Sequence, residues 1–339
     1  MCLPKIVVVT PVKNEAWILD RFLAVTSQFA DLIIISDQGS TDGSDEICQK
    51  FAKAVVIGNN SPRYDEAERQ ISLLRTARDL VPGPKVILAL DADEILAANA
   101  LTQPGWRTMM DAKPGTVLCF EKPDLYMRPD QCMRYDMPWP IGYVDDGAEH
   151  IPKKIHSIRI PMPLSAPRLA IHDVKVMHYA WTRWAGQAAK IRLYSVIENA
   201  QGITPSAVKR RFRYNSNEDY ANTGKLEMTP PEWFCGWESM GIDMLTICSE
   251  KYYWQDFEVL RHFEQYGVQR FFGDDIWYFD WEACRRFAIA QGMTGMPQEP
   301  IVGPSSLKQA GSKLLDVSFG AFRRTKQMLL SKKNAPDWQ

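Results

Sequence analysis

The sequence predicts an α/β fold, a mostly parallel sheet covered by helices and followed by a helical C-terminal region. Three observations carry this. Continuous apolar, β-branched runs recur through the first ninety residues, at "KIVVVT" (5–10), "DLIIIS" (31–36), "AVVIG" (54–58) and "KVILAL" (85–90). Strands without polar alternation are buried on both faces, as parallel strands are. Segments of helical spacing separate them, and from about residue 182 the pattern turns helical and aromatic.

The elements follow in order. "EAWILDRFLAVTSQF" (15–29) is a helix, with Ile18, Phe22 and Val25 on one face. "SDEICQKFAK" (44–53) is a short helix. "DEAERQISLLRTARDLV" (65–81) is a longer one, stopped by Pro82 and Gly83. "GTVLCFEK" (115–122) is a strand. Residues 123–168 are rich in Pro, Asp and aromatics and read as long loops with short strands. "RLAIHDVKVMHYAW" (168–181) holds one or two strands. "YYWQDFEVLRHFEQYG" (252–267) and "DIWYFDWEACRRFAIAQG" (275–292) are helices, and "VGPSS" (302–306) is a linker. The expected divisions are 1–180, 181–301 and 302–339.

Composition narrows the function. The chain has 339 residues, 45% hydrophobic and 24% charged, and a formal net charge of -1. Such a chain carries no global field toward nucleic acid or membrane. Seven cysteines are scattered with no C-x-x-C pair, which speaks against a zinc site or disulfide scaffold and suits a reducing compartment. No apolar run nears the ~20 residues of a membrane span. The expectation is a cytoplasmic protein without a transmembrane span.

Polar residues gather where the strands end: "TPVKNE" (10–15), "SDQGSTDGS" (36–44) and "DADE" (91–94). In parallel α/β sheets, ligands bind beyond the carboxyl ends of the strands. Asp91 and Asp93 lie two apart and project to one side of an extended segment. Two such carboxylates repel and call for a hard divalent cation. The same stretch also reads as a capping box, with Asp91 and Glu94 opening a helix. Asn14 reads as a helix N-cap, and Glu15 as facing a ligand. Asp37, directly after a strand, can accept from a base or ribose. His178 ends a strand and acquires a role if the fold sets it beside Asp93. Lys190 and Tyr194 share a helix face. Asp145, Asp146, Glu149 and His150 crowd into one loop, a dense source of a general base or a plain turn. G-x-G-x-x-G and G-x-x-x-x-G-K-[ST] are both missing, which excludes the usual dinucleotide and P-loop sites.

The ordered triple "VVTPVKNEAWIL", "IIISDQGSTDGS" and "LALDADEIL" resembles the family 2 glycosyltransferases, inverting enzymes of the Rossmann-like GT-A (nucleotide-diphospho-sugar transferase) fold. The resemblance implies a hexosyl- or N-acetylhexosaminyl-transferase that uses Mn2+ or Mg2+. It implies that Pro11, Asn14, Glu15, Asp37, Asp91 and Lys190 serve the nucleotide-sugar, and that Asp93, Asp91 and His178 serve the metal. It also implies that Asp146, with Asp145 and Glu149 behind it, is the base. The implied donor is a nucleoside-diphosphate sugar, with a UDP-sugar leading. The implied acceptor is a hydroxyl on a saccharide, a lipid-linked saccharide or a modified nucleic acid, in glycan or envelope polysaccharide synthesis. Rival expectations are a sugar-phosphate nucleotidyltransferase and a non-catalytic nucleotide-sugar-binding protein. The tail 307–333 carries seven Lys or Arg against Asp316 alone. It reads first as a helix docked on its own chain, and second as a peripheral contact with an anionic inner membrane face.

Overall fold

The computed structural model describes residues 3–59, 65–135, 137–154, 156–202 and 224–305. The basic tail 307–333 lies outside the described residues. Among the described residues eleven strands form one sheet: β1 Lys5–Val12, β2 Leu32–Asp37, β3 Ala54–Gly58, β4 Lys85–Ala89, β5 Glu94–Leu96, β6 Val117–Glu121, β7 Asp124–Leu125, β8 Gln131–Arg134, β9 Trp139–Val144, β10 Arg168–His178 and β11 Lys225–Met228. The helices are α1 Ala16–Thr26, α2 Ser44–Cys48, α3 Glu66–Leu80, α4 Pro104–Met110, α5 Trp184–Ala200, α6 Cys235–Glu238, α7 Trp254–Tyr266 and α8 Trp281–Ala290. No described helix is long and apolar enough to cross a membrane.

The sheet order is β11-β8-β7-β10-β6-β9-β4-β1-β2-β3, with β5 paired to β10. The four strands β4-β1-β2-β3 are all parallel. β9 runs antiparallel to both β4 and β6, and β8 antiparallel to β7 and β11. Every other strand on the path therefore points one way. The sheet is mostly parallel, as its unbroken apolar strands require.

Side-chain alternation splits the core in two. Ile6, Val8, Ile33, Ile35, Val86 and Leu88 pack with α1 on one face. Val7, Val9, Ile34, Ile87 and Ala89 pack with Leu73, Leu74 and Ala77 of α3 on the other. Gly142 lets β9 fit between its neighbours. A Cβ there would lie 2.8 Å from Leu88 Cδ2 and 3.0 Å from Leu118 Cδ1, closer than packed carbons approach.

The chain divides into two compact units, one of residues 1–184 and 216–249, the other of 185–215 and 250–339. This departs from the division at 180, because residues 224–249 return to the sheet. Trp233, Phe234 and Trp237 are buried in its core, and Trp237 Nε1 donates to Leu96 O at 2.8 Å. In the second unit, α5 carries Arg192, buried and paired with Asp256 of α7 at 2.7 Å. Only 281–290 of the expected 275–292 helix is helical, since the Asp280 side chain caps it by accepting from Ala283 N at 2.9 Å.

Candidate active site

The loops after β1 and β2 are laced together. Val12 sits beside Asp37 in register. Asn14 adopts a left-handed backbone, φ 54°, and its Oδ1 accepts from Thr41 N at 2.7 Å. It is therefore not the N-cap expected of it. Asp42, from the neighbouring loop, takes that part by accepting from Ala16 N at 2.9 Å. Asn14 N in turn donates to Ser40 Oγ at 2.8 Å. Asp37 accepts from Gly39 N, Ser40 N and Ser40 Oγ, the last at 2.5 Å. Its carboxylate is thus engaged in holding the turn, a use that competes with a base or ribose contact. Glu15 accepts from Trp17 Nε1 at 2.7 Å.

"DADE" does not open a helix. Asp91 N donates to Glu94 Oε2 at 3.0 Å, and Glu94 N to Asp91 O at 2.9 Å. The first bond is one half of a capping box and the second is a backbone turn bond, and the chain leaves the turn as strand β5. Pairing with β10, which sets Glu94 opposite His178, overrides the local signal.

That pairing assembles the site. Tyr179 N donates to Asp93 O at 2.8 Å, which places His178 Nε2 3.8 Å from Asp93 Oδ1. His178 Nδ1 lies 2.5 Å from Asp124 Oδ1, and Asp124 Oδ2 accepts from Tyr135 OH at 2.9 Å. With Nδ1 donating to a carboxylate, Nε2 presents a lone pair toward Asp93. Asp93 is only 8% exposed, and its Oδ1 is buried without a hydrogen-bond partner.

Glu94 is 1% exposed and is held by Lys122 Nζ at 3.0 Å and Arg159 Nη2 at 2.8 Å. Burial alone would push its carboxyl up. The charges of Arg159 and Lys122 outweigh that and hold it well below the usual carboxylate range. Arg159 Nη1 lies 2.7 Å from Asp91 Oδ1. Arg159 also lines a small cleft with Val9, Pro11, Arg69, Gln70, Leu73 and Ala89. Arg69 donates to Gln38 Oε1 at 2.9 Å.

The residues fit a divalent cation through Asp93 and His178. The orphaned oxygen faces a ring nitrogen whose other side is fixed by a carboxylate, a common outer shell of metal histidines. Asp91, Asp93, Glu94 and Asp124 face Lys122 and Arg159, so the group is net negative with a neutral imidazole. No described group of three or more acidic, His or Cys side chains forms a complete metal cage. Oxygens of a bound ligand would complete the shell, as is usual for magnesium on phosphates. Asp91 stands apart from the pair, since Arg159 occupies it.

The expected base lies elsewhere. Val144 pairs with Val86, so Asp145 and Asp146 follow β9 to the amino end of β4. That is the length of a five-residue strand, about 13 Å, from the end that leads to Asp91. Asp145, its side chain 3% exposed, pairs with Arg78 at 2.8 Å and Lys85 at 3.4 Å. Asp146 accepts from Tyr143 OH at 2.5 Å and from Ala148 N at 2.9 Å. Both acids are engaged in these contacts. Glu149 is exposed in the next turn of the same loop. Lys190 lies on α5 in the second unit.

Sequence reasoning missed Arg159, Lys122, Asp124 and Arg69. Arg159 arrives on a strap that climbs back along α3. Arg78 donates to Ala148 O at 2.8 Å, His150 Nε2 meets Gln70 Oε1 at 2.9 Å, and Glu66 N donates to Lys154 O at 3.0 Å. Nothing in "HSIRI" announces that destination, whereas the Arg69-Gln70 pair on the polar first turns of α3 was a readable signal.

Residues 7–122 match the family model described as glycosyl transferase family 2. Solved structures are distantly similar. A 4-diphosphocytidyl-2C-methyl-D-erythritol synthase is 17% identical with a TM-score of 0.29, over 42% of this chain and 75% of that one. Glucosyl-3-phosphoglycerate synthase from Mycobacterium tuberculosis is 20% identical with a TM-score of 0.26, over 35% of this chain and 44% of that one. This chain therefore spans less than half the length of that synthase. No curated protein sequence matches. The matched segment runs from β1 to the end of β6 and contains the three strand-end loops in order, so this part of the chain is similar to glycosyl transferase family 2.

Proposed function

We propose that the chain transfers a sugar from a nucleoside-diphosphate sugar to an acceptor hydroxyl, with inversion and with a divalent cation, Mn2+ or Mg2+. The observation that carries the metal is Asp93 Oδ1, buried without a hydrogen-bond partner and facing His178 Nε2 at 3.8 Å. A native protein tolerates such an atom where a ligand completes it.

Asp93 and His178 would hold the cation. When bound, it would stabilise negative charge on the departing diphosphate. Asp124 keeps the imidazole tautomer with Nε2 free to ligate. Pro11 and Arg69 line the small cleft beside Arg159, over whose mouth the nucleotide would lie. Glu94, clamped by two cations, keeps its charge and is a poor proton acceptor. It supports the site by holding Arg159 and Lys122 in place. Direct displacement at the anomeric carbon predicts an inverted product.

The test is a panel of nucleotide-sugars screened for manganese-dependent thermal stabilisation, followed by assay of the best donor. A ligand that binds only the native state raises its stability. Release of a nucleoside diphosphate supports the proposal. Release of pyrophosphate from a sugar phosphate and a nucleoside triphosphate would replace it with nucleotidyl transfer.

A further inference from the structure

Arg159 rests between two unequal acids. Its Nη2 is held by both oxygens of Glu94, at 2.8 and 3.0 Å. Glu94 is itself immobile, 1% exposed and anchored by Lys122 and by Asp91 N. The Nη1 side differs. It is ion-paired with Asp91 Oδ1 at 2.7 Å, but the contact is poorly aligned as a hydrogen bond. The Asp91 side chain is 36% exposed, so it can turn into solvent at small cost. A guanidinium presents its donors as a flat fork that suits carboxylate and phosphate equally. Here one edge is fixed to protein, and the other is covered by an acid that can leave.

We propose that Arg159 is a specificity residue for the donor's diphosphate, exchanging Asp91 for a phosphate oxygen at Nη1 when the nucleotide binds. This rests on the nucleotide-sugar reading above and adds a phosphate contact that the strand-end motifs do not contain. Glu94 is its positioning residue. The released Asp91 becomes available to hydroxyls of the donor.

The test is calorimetric titration of the full chain with UDP, GDP and ADP and with the matching nucleosides, in EDTA and again in Mn2+. Wild type, Arg159→Gln and Arg159→Lys are compared. For the diphosphate that wild type prefers, Arg159→Gln should weaken binding in EDTA by about 10- to 100-fold, the worth of one charge-assisted hydrogen bond. Nucleoside affinity should not move. Arg159→Lys keeps the charge on Glu94 and should lose diphosphate affinity by a smaller factor. It decides the matter if circular dichroism shows that the Gln variant is unfolded. A diphosphate change under twofold in the deciding variant overturns the inference, as does an equal loss for nucleoside and diphosphate. If wild type binds no nucleoside diphosphate even in Mn2+, the nucleotide-sugar reading falls and this inference with it.

Discussion

His178 is held through Nδ1 by Asp124 at 2.5 Å, and this aims its Nε2 at Asp93 Oδ1, 3.8 Å away. The pairing of β10 with β7 and β5 makes the alignment, since His178 stands opposite Asp124 on one side and Glu94 on the other. Three strands thus converge on one imidazole. If Asp124 orients the ring for a cation, Asp124→Asn should weaken Mn2+ binding about 10- to 100-fold. His178→Ala should weaken it further. Titration of Mn2+ in the presence of a saturating nucleoside diphosphate measures both, with circular dichroism to show that the fold persists. Unchanged affinity in the Asn variant would leave Asp124 as a packing residue only.

Asp145 makes the opposite prediction. It lies beside Lys85, whose side chain is 8% exposed, at the amino end of β4. Asp145→Ala removes the acid that faces Lys85 and Arg78, leaving their charges uncompensated. Breaking a buried pair costs about 3–5 kcal/mol. Urea unfolding should show that loss, while nucleotide affinity below the transition stays as in wild type. A catalytic base would behave in reverse, with a silent unfolding curve and a lost turnover.

The contrast between Asp93 and Asp145 marks what the sequence can convey. Both acids follow an apolar strand, and both precede a turn. Asp93 was legible because β1, β2 and β4 are continuous, separated by helices and therefore parallel, so their ends coincide. Asp145 ends up apart from Asp93 because β9 is antiparallel, and no local pattern in "WPIGYV" states direction. Its acids follow the strand to the far edge. Asn14 was misread for a related reason. Caps are usually sought within the same loop, and here Asp42 reaches across from the next one. Arg159 could not be read at all, since its place depends on a long strap pinned to α3 at points far apart in sequence.

That strap carries a pH-sensitive pin. His150 is bonded to Gln70, and burial, then the charge of Arg78, lowers its pKa from 6.5 to about 4. The folded state therefore resists a proton that the unfolded chain accepts. The contribution is complete above pH 6.5 and is lost as pH falls from there to about 4, where it levels off. Allowing for partial exposure, the loss is on the order of 1–2 kcal/mol. The urea midpoint of wild type should fall across this window more than that of His150→Asn. Parallel curves for the two proteins would show that His150 does not titrate between the states.

Asp93 should carry the opposite balance of stability and function. Its carboxylate is buried at 8% exposure, and one oxygen has no hydrogen-bond partner. Burying an unsatisfied charged oxygen is unfavourable, and the His178 ring nitrogen that faces it is 3.8 Å away, beyond hydrogen-bond distance. Asp93→Asn keeps the shape and removes the charge. Without metal it should therefore be more stable than wild type by about 1 kcal/mol, as active-site acids often are when neutralised. With Mn2+ and a nucleoside diphosphate the order should invert, because wild type gains the ligand's stabilisation and the variant does not. Unfolding in EDTA and in Mn2+ with ligand measures both arms. An Asn variant less stable than wild type in EDTA would mean that the carboxylate is already satisfied by the protein, and the case for a cation at Asp93 would lose its main support.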